Sequence, residues 1–135
     1  MKYKRDDRWL LSRLDEIWSN HFPDVKQNNR VFIRFGRSSR LRLGSIKLDK
    51  KSGNSMITLT GMFKNDHVPS AVVDHTIAHE LCHYTHGFSS LRPKLHKYPH
   101  HGGVIRQELK LRGLGHLVTA YKAWVKKYRK QFKYA

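Results

Sequence analysis

Residues 79 to 83 read His79-Glu80-Leu81-Cys82-His83, an H-E-x-x-H motif. On a helix, positions four apart lie on one face a turn apart, so both imidazoles can grip one cation. Glu80 projects about 100° around the helix from His79, beside such an ion rather than on it. From there it can take a proton from water held at the metal, which is the chemistry of hydrolysis. Random ordering of this composition yields on the order of 0.01 such motifs, so the match is informative.

The flanking stretch, HTIAHELCHYTHG from 75 to 87, adds His75 and His86. On a helical wheel Val73, Ile77, Leu81 and Tyr84 fall opposite His79 as a core-facing stripe, leaving His75, His79, His83 and His86 on one open face. The pattern therefore assigns His79 and His83 as metal ligands and Glu80 as general base, with His75 and His86 either behind the ligands or at the rim. Histidines decorating a basic surface are the competing explanation. Cys82, on the flank, reads as a small packing residue. Catalytic zinc takes three protein ligands plus water, so a third ligand must come from elsewhere. His86 cannot easily close the tetrahedron from the same helix. His96, His100, His101 and Glu108 remain, and His101 is the best placed, opening a helix ahead of Gly102.

An α+β arrangement is expected to position this site. Trp9, Leu10, Leu14, Ile17 and Trp18 recur at helical spacing within residues 5 to 20. RVFIRF alternates as a half-buried strand, with Val31, Ile33 and Phe35 on one face. LRLGSIKL is a second strand, whose apolar phase shifts at Gly44-Ser45 as at a bulge. SMITLTGMF is a third, following the DKKSGN connection. A small, mostly antiparallel sheet results, and the strand at 56 to 62 is expected to pair with an extended substrate. Pro69 opens the site helix and Gly87 stops it. Residues 88 to 100 form a long loop, in which Arg92, Tyr98 and His100 are candidate oxyanion stabilisers. A helix from about 101 to 113–115 and a basic one at 116 to 133 complete a single domain of residues 1–135.

The chain carries 27 Lys and Arg against 10 Asp and Glu, a net charge of +17. Such a surface attracts polyanions, nucleic acid first. Arg34, Arg37, Arg40, Arg42 and Lys47 stud the sheet as solvated residues or as a phosphate-contacting strip. In the last helix Leu117, Tyr121, Trp124, Val125, Tyr128 and Phe132 make a stripe flanked by lysines. That stripe can dock on the core while Lys122, Lys126, Lys127, Arg129 and Lys130 meet phosphates and exposed rings stack on bases. The single cysteine, Cys82, excludes an internal disulfide and a cysteine zinc finger. A charged N-terminus and the lack of a long apolar run point to an intracellular protein with no membrane segment.

The run VPSAVVDHTIAHELCHYTHG, followed by HHGGVIRQELKLRGLG, resembles the SprT-like metalloprotease domain, whose group includes the Spartan proteases that degrade proteins crosslinked to DNA. The shared elements are Val68 to Val73, His79 to His83, and His101-Gly102-Gly103-Val104-Ile105. The upstream helix, the three strands and Leu43-Gly44-Ser45 also fit, so the likeness spans most of residues 9 to 115. It implies a zincin-like fold, a Zn2+ ion on His79, His83 and His101, and Glu80 as general base. The His100-His101 doublet leaves that register open by one residue. The chain departs from the family in lacking a C-terminal zinc ribbon of cysteines and in carrying Ile105 where a bulky aromatic is usual.

The expectation is thus a monomeric zinc endopeptidase with protein substrates and DNA as partners, acting in DNA repair. The alternative is a zinc-stabilised nucleic-acid-binding protein without peptidase activity, against which a base at Glu80 argues.

Overall fold

The computed structural model describes residues 4–87 and 103–133, the last four as backbone only. In chain order the elements are α1 (Asp7–His21), β1 (Val31–Phe35), β2 (Gly44–Leu48), β3 (Ser55–Leu59), a 3-10 turn (Gly61–Lys64), α2 (Ser70–Thr85), α3 (Val104–Leu111) and α4 (Gly115–Lys133). The class is α+β. α1 starts where the Asp6 carboxylate accepts the Trp9 backbone N–H at 2.9 Å, satisfying a donor that the first turn leaves unpaired. Its Leu10, Leu14 and Ile17 enter the core, with Trp9 and Trp18 packed at the margin. β1 buries Val31, Ile33 and Phe35, and β3 buries Ser55, Ile57 and Leu59, as their alternation predicts.

The sheet is mixed, which corrects the expectation of a mostly antiparallel one. Its order is β1-β3-β2, with β1 and β3 parallel and β2 and β3 antiparallel. The cause is the connection 36–43, which does not turn back beside β1 but arches over the end of β3. Gly36 N–H donates to the Leu59 carbonyl at 2.8 Å and Gly61 N–H to that of Arg37 at 3.1 Å. The Thr60 hydroxyl accepts from Ser39 N–H at 2.8 Å and donates to the Ser39 carbonyl at 3.0 Å. A Cβ on Gly61 would stand 2.7 Å from the Gly36 carbonyl oxygen, so this crossing tolerates no side chain there. β2 consequently lands on the far side of β3.

Two further expectations change with this topology. The ladder runs unbroken from Gly44↔Leu59 to Leu48↔Ser55, so the phase shift at Gly44 marks the start of a strand and not a bulge. β3, expected to receive substrate, is the central strand with both edges paired. The outer edges of the sheet belong to β1 and β2, and the β2 edge is the one that starts beside Thr76 and Glu80 of α2, at Gly44. Thr60 N–H bonds the Leu43 carbonyl and Asp49 N–H that of Asn54, which turns alternate residues toward β3. Antiparallel geometry then points the backbone groups of Gly44, Ile46 and Leu48 outward.

α2 runs through the centre of the molecule and contacts α1, β2, β3, α3 and α4. Its apolar side is buried as expected, but His75, Glu80, His83 and His86 are buried too. The histidine face is therefore not open, because other elements cover it. Two polar clamps fix the helix. Arg13 of α1 holds Asp74 with paired bonds of 2.9 and 2.8 Å. The Tyr84 hydroxyl donates to Asn29 Oδ1 at 2.8 Å and accepts from Asn28 N–H at 3.1 Å. Among the described residues no helix is long and apolar enough to cross a membrane.

Candidate active site

His79 and His83 converge as their spacing requires, with Nε2 atoms 3.1 Å apart. Two nitrogens at about 2.0–2.1 Å from one zinc in tetrahedral geometry stand about 3.4 Å from each other, so the pair fits a shared ion within a few tenths of an ångström. Glu80, between them in sequence, is 4% exposed. Burial pushes its carboxyl up to about 7, and the charge of Arg42 opposes that shift. Among the described residues no group of three or more His, Cys, Asp or Glu side chains forms a metal-holding cluster. The expected third ligand, His101, lies outside the described residues, as do His96, His100, Arg92 and Tyr98.

His79 and Glu80, with His75 and Thr76, form the floor of a cleft of about 820 Å³. One wall is the arch through Arg40, Leu41 and Arg42, running into Leu43 and Gly44 at the start of β2. The opposite wall is α4, which presents Tyr121, Trp124, Val125, Tyr128 and Arg129. The Tyr121 ring stacks on His75 at 4.1 Å and 10° between planes. Trp124 and Tyr128 stack at 4.6 Å, and Trp124 meets Phe63 edge-on at 6.1 Å. Burial lowers His75 to about 4, which keeps its ring neutral at neutral pH. Its Nδ1 is buried and has no hydrogen-bond partner among the described residues.

The approach of β2 to α2 depends on Gly44. A Cβ there would fall 2.6 Å from Thr76 Cγ2, 3.2 Å from Leu59 Cδ2 and 3.5 Å from Glu80 Oε2. Thr76 cannot swing aside freely, because its hydroxyl donates to the Val72 carbonyl at 3.0 Å in a buried setting. Gly44→Ala should therefore force strand and helix apart at a cost of about 1–3 kcal/mol. Chemical denaturation measures this, and a variant as stable as the parent would show that the contact is not tight.

One histidine-face assignment needs correction. His86 is not at the rim of the cleft but is 1% exposed at the other end of α2, where its Nε2 lies 2.8 Å from Glu108 Oε1. Glu108, weighed as a third ligand, is thereby engaged on α3. It also lies 3.3 Å from Arg112 Nε, and Arg112 reaches Asp24 through contacts of 2.7 and 3.1 Å and the His21 carbonyl at 2.8 Å. This cluster ties α1, α2 and α3 together. It also anchors the chain on both sides of residues 88–102. Cys82 is fully buried, and burial raises its thiol far above the usual range, in keeping with a packing role.

The structure also divides the basic residues assigned to nucleic acid. Lys122, Lys126 and Lys127 are exposed and outside the cleft, whereas Arg129 lines it. The side chain of Lys130 lies outside the described residues. Sequence reasoning missed Arg40, Arg42 and Tyr121 as parts of the site. The one signal for the arginines was their position just ahead of Gly44. Comparison with protein-family models, with curated proteins and with solved structures finds no match to the chain.

Proposed function

We propose that the protein is a zinc-dependent endopeptidase of SprT-like, zincin type, acting on proteins bound or crosslinked to DNA. The observation that carries this reading is the convergence of His83 on His79, which lies with the buried Glu80 on the floor of a cleft that borders the β2 edge. His79, His83 and His101 would hold the ion. Zinc supplies Lewis acidity toward the scissile carbonyl and acidifies water. Substrate adds as an extended segment along the outward groups of Gly44, Ile46 and Leu48, which places its backbone beside Glu80. Glu80 takes a proton from the attacking water as the C–O bond forms. It then gives that proton to the amine as the C–N bond breaks. A carboxyl group with its affinity for protons raised by burial suits both halves of the exchange. The exposed Lys122, Lys126 and Lys127 reach phosphates from the outer side of α4.

The test is digestion of casein or histone by the zinc-loaded protein, with and without DNA. Cleavage should be abolished by a chelator, restored by zinc and accelerated by DNA. DNA binding without cleavage under any of these conditions would instead support a zinc-stabilised nucleic-acid-binding protein.

A further inference from the structure

We propose that the cleft selects substrates carrying an acidic side chain next to the scissile bond, an inference that rests on the peptidase reading. Three arginines line it, Arg40 and Arg42 on the arch and Arg129 on the facing helix, so positive charge stands on both walls. Glu80 is the one acidic residue among the described lining residues. The charge of Arg40 acts on Tyr128 and that of Arg129 on Tyr121, which spreads the cations along the α4 wall.

The sorting of charges on α4 identifies the ligand class. Its cleft side holds Tyr121, Trp124, Tyr128 and the arginine, while Lys122, Lys126 and Lys127 face away. An arginine presents a planar fork that matches a carboxylate in two parallel bonds, and a lysine is a point charge. Aromatic walls displace water beside those forks and strengthen pairing relative to bulk solvent. The arginines share the cleft with Gly44, where the open edge of β2 begins, so they meet side chains of a segment laid on that edge. Phosphates of a bulky polyanion meet the outward lysines first. Leu41, 99% exposed between Arg40 and Arg42, offers an apolar contact at the same rim.

The experiment uses one peptide made in three forms, with Asp, Gln or Lys beside the bond that is cut. The zinc-loaded protein should process the Asp form with kcat/KM about five- to tenfold above the Gln form, and the Lys form below both. The double variant Arg40→Glu, Arg129→Glu should invert the ratio of Asp to Lys forms. The Glu80→Gln protein, whose turnover is too slow to deplete substrate during a binding measurement, should bind the three peptides in the same order, read from the fluorescence of Trp124 in the cleft. Equal rates for the three forms would overturn the proposal. So would a double variant that keeps the ranking but loses binding to an oligonucleotide, since the arginines would then serve nucleic acid. If no peptide is cut, the peptidase reading fails by itself. Binding to Glu80→Gln then decides the cleft separately, an Asp preference upholding it and its absence overturning it.

Discussion

Glu80→Gln should retain zinc while cleavage falls by a factor of about 10²–10⁴, the usual contribution of a positioned acid–base group. Gln has nearly the same shape, so it fills the buried position without a cavity, yet it cannot accept a proton from water. Its neutrality also removes the cost of keeping a carboxylate at 4% exposure. The melting temperature should accordingly hold or rise. That combination separates loss of chemistry from loss of fold. Metal content by atomic spectroscopy, kcat on casein and a thermal melt give the three readings. Wild-type turnover in this variant would sink the assignment of Glu80.

His79→Ala should weaken zinc binding by a factor of about 10²–10⁴, taking an equal share of a three-ligand site, and abolish cleavage. The metal-free fold should survive the change. His79 is only partly buried, the core around α2 is built from other residues, and Ala is the better helix former. For the wild type, zinc at a hundredfold excess over Kd should add about 2.7 kcal/mol to stability, because binding favours the folded state. The variant should show no such gain at the same concentration. Isothermal titration and melts with and without zinc check both points. Unchanged affinity in His79→Ala would remove this residue from the ligand set.

Local periodicity accounts for what could be read before any contact was known. Leu10, Leu14 and Ile17 recur at the helical repeat, and Val31, Ile33 and Phe35 at the strand repeat. The pairing of His79 with His83 has the same origin, since a spacing of four places both rings on one face wherever the helix lies. The helical wheel failed at His86 because it assumes that one side of a helix meets water. α2 is packed by α1, α3, α4, β2 and β3, so the burial of its histidines carries no periodic trace. His75 disappears beneath Tyr121 and His86 against Glu108, partners far along the chain.

The motif itself thus determined which side chains could share an ion and which one could serve as base, because both follow from 3.6 residues per turn. Tertiary structure alone decided what surrounds them. The arch held by Thr60 sends β2 to the far side of β3, which opens the β2 edge and brings Arg40 and Arg42 to the cleft. The docking of α4 turns its aromatic rings and Arg129 inward and its lysines outward. Both outcomes depend on contacts between segments distant in sequence, and no repeat along a single segment encodes them.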